Sequence, residues 1–221
     1  MFSSMIGNRT QTQAGGDQNG AILRVASYGA NNLNQYTNRQ VPGAVDVMGV
    51  SIATNVVTVN GQTAYRKGEY FRKEVSVANN NGPVWQSITV AATGQSSVTG
   101  NEFVPRTPEV FGYDLDGNLT SDGQWLYTWD AENRLVAMTV RTNVGPQISM
   151  RFEYDATGRR IRKQVWSNTN WTGTAASDLK YAYDGWNLIA ALSSGALQSA
   201  YVWGLDLSGS MQGAGGVGGC G

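Results

Sequence analysis

The chain has 221 residues, and its sixteen Lys and Arg residues balance sixteen Asp and Glu residues. This zero net charge excludes a general electrostatic attraction to nucleic acid or to an anionic membrane. There is no histidine, the commonest general base and metal ligand, and the single cysteine, Cys220, excludes a disulfide framework within the chain. Abundant glycine (28 residues) and tyrosine (10 residues) favour strands joined by turns over helices.

The first forty residues contain incomplete pieces of a motif that recurs later in the chain. Gly7-Asn8-Arg9 has the form of the end of one copy, and residues 28–36 (YGANNLNQY) have the form of a degenerate copy. The start lacks the basic and apolar regions of a secretory signal. We therefore predict a degenerate repeat remnant over residues 1–40.

Residues 41–105 lack the motif and show strand-like alternation instead. The alternating segments are NVVTVNGQTAYRKG, EYFRKEVSV and VWQSITVAA, and Asn60-Gly61 is a strong hairpin signal. We predict a small inserted β-sandwich-like domain over 41–105, with PRTPEV (105–110) leading back to the repeats.

Residues 111–208 repeat a pattern of aromatic, spacer, aromatic and aspartate, with a turn-forming residue three places after the aspartate. The copies are Phe111, Tyr113, Asp114 and Gly117; Tyr127, Trp129, Asp130 and Asn133; Phe152, Tyr154, Asp155 and Gly158; Tyr181, Tyr183, Asp184 and Asn187; and Tyr201 with Trp203, where Gly204 replaces the aspartate.

Each copy predicts a strand, a turn and a returning strand. Aromatic residues two apart lie on the same face of a strand. The aspartate suits the first position of a turn, and the Gly or Asn three places later tolerates a positive φ. A lone hairpin is only marginally stable in water, so the copies must join into a larger antiparallel sheet. The fold class predicted is therefore all-β, with repeated antiparallel hairpins and a small inserted β-domain.

Other functional readings of these residues are weaker. Asp114 and Asp116 resemble paired catalytic carboxylates, but each repeat aspartate recurs with its turn, so we expect no catalytic residues. A calcium loop of the EF-hand type would need Gly and Glu where Leu119 and Trp125 stand, which leaves open only a weak site of carboxylate and carbonyl oxygens. No metal or cofactor site is predicted.

Two further motifs have ordinary explanations. Residues 213–218 match the spacing GxGxxG, but no helix can follow in the three remaining residues. The basic run 158–163 is interpreted as the solvated face of a strand rather than as a nucleic-acid site. A glycine-rich tail is predicted over residues 209–221.

The pairs Tyr113-Asp114, Tyr154-Asp155 and Tyr183-Asp184 resemble those for which the YD-repeat, or rearrangement-hotspot (RHS), family is named. The stretches YDLDGNLTSDGQWLYTWDAENRLV and YVWGLDLSGSMQGAGGVGG are similar to segments of its large bacterial members. The resemblance covers most of 111–219 closely and 7–40 loosely. It implies a β-ribbon spiralling into a hollow shell that encloses a C-terminal toxin or effector, or that displays interaction modules as in the related teneurins.

The leading hypothesis is a non-enzymatic structural segment of such a shell. Members of the family close with a core-associated segment rich in D-P-x-G, followed by a variable toxin tip. This sequence ends before such a segment and begins within a repeat, so we expect a fragment of a larger protein that is secreted or at the surface of a bacterium. Its partners would be the rest of the shell and the enclosed effector, without nucleic-acid binding or membrane insertion.

The alternative hypothesis is a carbohydrate- or cell-wall-binding repeat module in which Trp125, Tyr127 and Trp129 stack on sugar rings. The second aromatics are 16 residues apart between Tyr113 and Trp129 but 29 apart between Tyr154 and Tyr183. Such uneven spacing favours the shell. The effector, the secretion route and the target stay open.

Overall fold

The computed structural model describes residues 2–3, 7–17, 19–205 and 209, and within these residues the regular secondary structure consists of β-strands. Each strand pairing with a defined register is antiparallel, so the prediction of an all-β fold built from hairpins is confirmed. The described part of the chain contains no helix that could cross a membrane. Except for Gly209, the predicted glycine-rich tail, with its GxGxxG motif and Cys220, lies outside the described residues.

The chain divides into two compact units, Met1–Trp125 with Arg141–Gly145, and Leu126–Val140 with Pro146–Gly221. The strands that begin in the first sequence range are β1 (Phe2–Ser3), β2 (Arg9–Gly15), β3 (Leu23–Ala30), β4 (Tyr36–Arg39), β5 (Ala44–Val50), β6 (Val57–Val59), β7 (Gln62–Thr63), β8 (Tyr65–Lys67), β9 (Tyr70–Ser76), β10 (Val84–Ala92), β11 (Val98–Val104), β12 (Glu109–Val110), β13 (Gly112–Tyr113), β14 (Leu119–Ser121) and β15 (Trp125–Trp129). They are followed by β16 (Leu135–Val140), β17 (Ser149–Tyr154), β18 (Arg160–Trp166), β19 (Ser177–Asp184), β20 (Asn187–Ser193) and β21 (Ala196–Ala200).

In the first unit, the chain leaves a sheet after β4 and returns to the same sheet in β12, which pairs with β4. The sheet has the order β1-β2-β3-β4-β12, with Arg39 opposite Glu109. The buried carboxylate of Glu109 pairs with the Arg39 guanidinium and accepts a hydrogen bond from the Gly123 backbone N–H at 3.0 Å. The segment between Arg39 and Glu109 is therefore an excursion whose two ends are neighbours.

This excursion forms two sheets around a small apolar core. One sheet has the order β11-β10-β6-β7 and the other β5-β9-β8. The core consists of the buried side chains Val57, Val59, Ala64 and Phe71. Strand β6 contributes two of them because residues two apart lie on one face. That residues 41–105 form a domain in their own right stays a prediction.

A buried asparagine, Asn79, bonds the two ends of the excursion to each other. The Asn79 side-chain Nδ2 donates to the carbonyl oxygens of Val41 at 3.1 Å and Pro105 at 2.8 Å, and the side chain is 2% exposed. The backbone carbonyl of Asn79 accepts the Thr107 N–H at 3.1 Å. Asn79, in the loop between β9 and β10, is thus bonded to the segment that leads into the excursion, between β4 and β5, and to the segment that leads out of it, between β11 and β12.

In the second unit, the strands from β15 to β21 follow one another in a single antiparallel sheet in chain order. The fully paired hairpin β17–β18 runs from Ser149↔Trp166 to Tyr154↔Arg160, with a register shift at its tip. The buried apolar side chains of this unit are Val140, Phe152, Trp166 and Ala191. The sheet therefore grows by adding each hairpin beside the preceding one.

We expect Asn79→Asp to destabilise the first unit by about 2–4 kcal/mol, because it removes a buried donor and turns a carboxylate oxygen towards the carbonyl oxygens of Val41 and Pro105. Urea unfolding followed by tryptophan fluorescence measures the change. The matched control is Asn80→Asp, which places the same charge on the adjacent exposed residue. Equal stability of the two variants would contradict the role given to the Asn79 amide.

Candidate functional site: the aspartate turns

Among the residues that the structure describes, five turns of five residues, here called the aspartate turns, share one hydrogen-bond pattern. Oδ1 of the first residue, Asp or Asn, accepts the backbone N–H groups of the third and fifth residues. The backbone N–H of the first residue donates to the fifth carbonyl, and that of the fourth residue donates to the first carbonyl. All these distances lie between 2.8 and 3.2 Å. The turns are 17–21, 31–35, 114–118, 130–134 and 155–159.

The fourth residue of each aspartate turn has a positive φ. The values are 77° at Gly20, 68° at Asn34, 90° at Gly117, 58° at Asn133 and 85° at Gly158. This left-handed conformation is readily adopted by Gly and, among residues with a side chain, is tolerated best by Asn and Asp. The geometry therefore explains why the motif places Gly or Asn three residues after its aspartate.

One aspartate turn is missing from the sequence prediction. The turn 17–21 has no aromatic pair before it, because Ala14 and Gly16 stand at the places of the aromatics. The signal that would have found it is the spacing Asp17-x-x-Gly20, which is the same as in Asp114-x-x-Gly117. The turn therefore forms without the aromatic pair.

Conversely, Asp184 departs from the predicted turn. Here Asp184 is opposite Asn187 in a hairpin with two residues between them, and the positive φ of 58° belongs to Gly185. Asn187 begins β20 and is buried, so its assignment as the positive-φ turn residue is corrected. The physical reason is that glycine directly after the aspartate permits a tighter hairpin.

The aromatic residues of the motif differ in their exposure. Phe152 is buried, and the half-buried members are Phe111, Tyr113, Tyr127, Trp129, Tyr154, Tyr181 and Tyr183. Tyr201 and Trp203 are exposed by 44% and 40%. Trp125, proposed with Tyr127 and Trp129 to stack on a glycan, is also half-buried. Glycan stacking by these three residues stays a prediction.

In two of the turns, the fifth residue is an arginine that connects one hairpin to the next. Arg134 Nε donates to Asp130 Oδ2 at 2.8 Å, and its guanidinium carbon lies 5.4 Å from the ring centre of Tyr154. Arg159 repeats both contacts with Asp155 at 2.7 Å and with Tyr183 at 5.3 Å. These sets, Asp130–Arg134–Tyr154 and Asp155–Arg159–Tyr183, are called the turn links.

The polar end of each linked aromatic is also bonded to the preceding hairpin. The Tyr154 hydroxyl donates to the Leu135 carbonyl at 2.8 Å, and the Tyr183 hydroxyl donates to the Arg160 carbonyl at 2.9 Å. Trp203 Nε1 donates to the Leu188 carbonyl at 2.7 Å in the same manner. In the turn links, the accepting carbonyl belongs to the residue that follows the arginine.

The electrostatics of the turns favour a structural role. The pKa of Asp155 is held far below its ordinary value by hydrogen bonds from the Thr157 side chain and from Arg159. Hydrogen bonds from the Arg134 backbone and side chain lower the pKa of Asp130. Burial raises the pKa of Tyr154. These carboxylates therefore stay ionised and bonded, which does not suit a general acid.

The basic run 158–163 is engaged within its own sheet. Arg162 binds the Asp178 carboxylate through two nitrogens, at 2.8 and 2.6 Å, and reaches Glu153 at 3.0 Å. The Arg160 guanidinium carbon lies 5.3 Å from the ring centre of Phe152. In the part of the chain that the structure describes, no cluster of three or more acidic or cysteine side chains is placed to hold a metal ion.

Comparison with known proteins points to very large bacterial relatives. No family model matches the chain. It is 33% identical over 106 residues to the tRNA3(Ser)-specific nuclease WapA of Bacillus spizizenii, which is 45% of this chain and 4% of that protein. It is 35% identical over 86 residues to the tRNA nuclease WapA of Bacillus subtilis strain 168, covering 36% of this chain and 4% of the relative.

A third relative, the tRNA(Glu)-specific nuclease WapA of Bacillus subtilis subsp. natto, is 42% identical over 65 residues, which is 29% of this chain and 3% of the relative. The chain therefore matches only about one twenty-fifth of the length of these curated relatives.

We expect Asp155→Ala to lower the thermal midpoint by about 2–4 °C, because the Thr157 and Arg159 N–H groups lose their acceptor. Asp155→Asn is expected to cost less, since Asn31 Oδ1 accepts the equivalent two N–H groups in its own turn. Circular dichroism melting measures both. Asp116→Ala, which changes an exposed residue in the turn 114–118, is the control and is expected to leave the midpoint unchanged. If Asp155→Asn lowered the midpoint as much as Asp155→Ala, the assigned geometry would be contradicted.

The lowered pKa values also predict acid sensitivity. A carboxylate whose pKa is lower in the folded state than its ordinary 3.8 contributes stability that is complete above that value and is lost as the pH falls below it. We therefore expect the unfolding midpoint in urea to be constant from about pH 7 to pH 5 and to fall below about pH 4. In Asp155→Asn the fall is expected to be shallower, because one such group has been removed. A wild-type midpoint that does not change down to about pH 2.5 would refute the linkage.

Proposed function

We propose that this chain is a non-enzymatic segment of the wall of a larger bacterial YD-repeat protein of the RHS type. The wall encloses or displays an effector that is carried elsewhere in the same protein. The observation that carries this proposal is the pair of turn links, which join consecutive hairpins by the same three residue types in the same geometry.

The turn links suit a wall because they act between neighbouring copies. Asp155 closes its own turn and holds Arg159, and Arg159 covers the tyrosine of the following hairpin. The same arrangement starting from Asp130 ends on Tyr154, the residue directly before Asp155. The copy with Tyr154 and Asp155 therefore supplies the tyrosine for one link and the aspartate for the next. Such a unit can be repeated any number of times along a sheet.

The relatives support the toxin context of the proposal. They are named as tRNA nucleases, and the stretch similar to this chain is 3–4% of their length. We assign the nuclease chemistry to a part of the parent protein that this stretch does not include. The parent is then a toxin of a bacterium, active outside the cell that makes it, and the partners of this chain are the adjoining wall and the effector.

The first test measures the coupling within one turn link by a double-mutant cycle. We expect Arg159→Gln and Tyr183→Leu to interact by about 0.5–1 kcal/mol, because each removes one side of the same cation–ring contact. The control pair is Arg159→Gln with Trp171→Leu, an aromatic that contacts Trp166 at the opposite end of the hairpin β17–β18, for which additive effects are expected. Additivity in both pairs would contradict the wall mechanism.

The second test asks whether the chain cleaves RNA. The purified chain is incubated with total bacterial tRNA, with and without Mg²⁺, and the products are separated on a denaturing gel beside a ribonuclease control. We expect no cleavage above that of buffer. Cleavage that disappears in Asp114→Asn would overturn the non-enzymatic assignment.

A further inference from the structure

The first unit carries a groove that the wall function does not use. The groove has a volume of about 680 Å³ and lies over the sheet β5-β9-β8. Clefts of about 300–1,000 Å³ are typical of sites for small ligands. Its floor is formed by Met48, Val50, Tyr65 and Tyr70.

The strand register explains why these four side chains share one face. Val50 and Lys67 are both opposite Tyr70, while Met48 and Tyr65 are both opposite Arg72. Residues directly opposite one another in a sheet point to the same side. The neighbouring Phe71 points to the other side, into the apolar core. The sheet thus has its core on one face and the groove on the other.

The floor of the groove is apolar but open to solvent. Met48, Val50, Tyr65 and Tyr70 are exposed by 70%, 67%, 50% and 69%. In the described part of the chain, neither tyrosine hydroxyl makes a hydrogen bond. Two flat rings with free hydroxyl groups on a sheet face offer apolar contact and hydrogen bonds to the same ligand.

Charges at the rim of the groove are balanced. At the groove, Lys67 and Arg72 carry positive charges, and Asp17 and Glu74 carry negative charges. Glu74 is in addition paired with Arg24, whose second nitrogen binds Asp46. A rim with both signs does not select a strongly acidic or strongly basic ligand, but its carboxylate and ammonium groups can bind hydroxyl groups.

We propose that this groove is a binding site for an uncharged saccharide, whose ring stacks on Tyr65 and Tyr70 while its hydroxyl groups bond to the rim. Apolar ring faces with a hydroxyl edge match an aromatic floor with a polar rim. This inference is independent of the wall function, because it concerns other residues and another sheet.

Two other occupants fit the groove less well. A peptide that adds a strand pairs at an edge of the sheet, which here is β5 or β8, whereas the groove lies over the face of the sheet, across the central strand β9. A second copy of the chain needs a complementary face of about 800 Å² per partner, whereas this site is a local concavity.

The test is titration calorimetry of the full chain with chitotetraose, cellotetraose and maltotetraose, each up to about 10 mM. We expect at least one of them to bind with a Kd of about 1 mM or tighter, and Tyr65→Ala and Tyr70→Ala each to weaken binding about five- to tenfold. Tyr70→Phe keeps the ring and is expected to lose less. Both tyrosines are largely exposed, so circular dichroism melting is expected to show folded variants.

The control variant is Trp186→Ala, which removes an exposed aromatic from the other unit and is expected to bind like the wild type. Absence of binding by all three tetrasaccharides would overturn the proposal. Binding that is equal in the tyrosine variants and the wild type would overturn it as well. Concentration-dependent dimerisation that Tyr70→Ala abolishes, measured by sedimentation velocity, would instead assign the groove to a second copy.

Discussion

The interaction on which the repeat depends is the acceptance of two backbone N–H groups by one carboxylate oxygen. A chain that reverses direction in five residues leaves donors inside the turn that no strand can satisfy. In the turn 155–159, Asp155 Oδ1 supplies the missing acceptor, and Gly158 adopts the left-handed conformation that brings the fifth residue back. Because the turn uses one oxygen only, the other oxygen is free to orient the arginine that follows.

That second oxygen converts a local turn into a connection between hairpins. Arg159, held by Asp155 Oδ2, lies over the ring of Tyr183, whose hydroxyl binds the backbone directly after the arginine. Each of these contacts is individually weak at a partly solvated surface. The ring contact and the hydroxyl bond both belong to Tyr183, however, so a displaced hairpin loses the two together. Hairpins that are only marginally stable alone are therefore held in a fixed position beside one another by the turn links.

The sequence predicted the turns within each hairpin better than it predicted the contacts between one hairpin and the next. Asp-x-x-Gly and Asp-x-x-Asn are local signals, since the acceptor and the left-handed residue are three positions apart, and the all-β fold follows from their repetition. Asp184 fails as a turn of this type because Gly185 allows a shorter one. The contact of Arg134 with Tyr154 spans twenty residues, and its register depends on a loop whose length varies between copies, so no spacing rule could reveal it. The groove was missed for a similar reason. Tyr65 and Tyr70 stand on different strands, and only the register shows that they share a face.

The excursion between Arg39 and Glu109 shows how such a sheet can acquire a second role. Its ends are paired strand neighbours, joined by the ion pair of Arg39 with the buried Glu109 carboxylate and by the Asn79 amide, so its length does not disturb the sheet from which it departs. Its core of Val57, Val59 and Phe71 faces inward, which leaves the exposed Met48, Val50, Tyr65 and Tyr70 on the outer face of β5-β9-β8 outside that core. Side chains on that face can vary without cost to the core. An aromatic floor such as Tyr65 and Tyr70 is therefore better explained by recognition than by stability, because apolar surface left in water stabilises nothing.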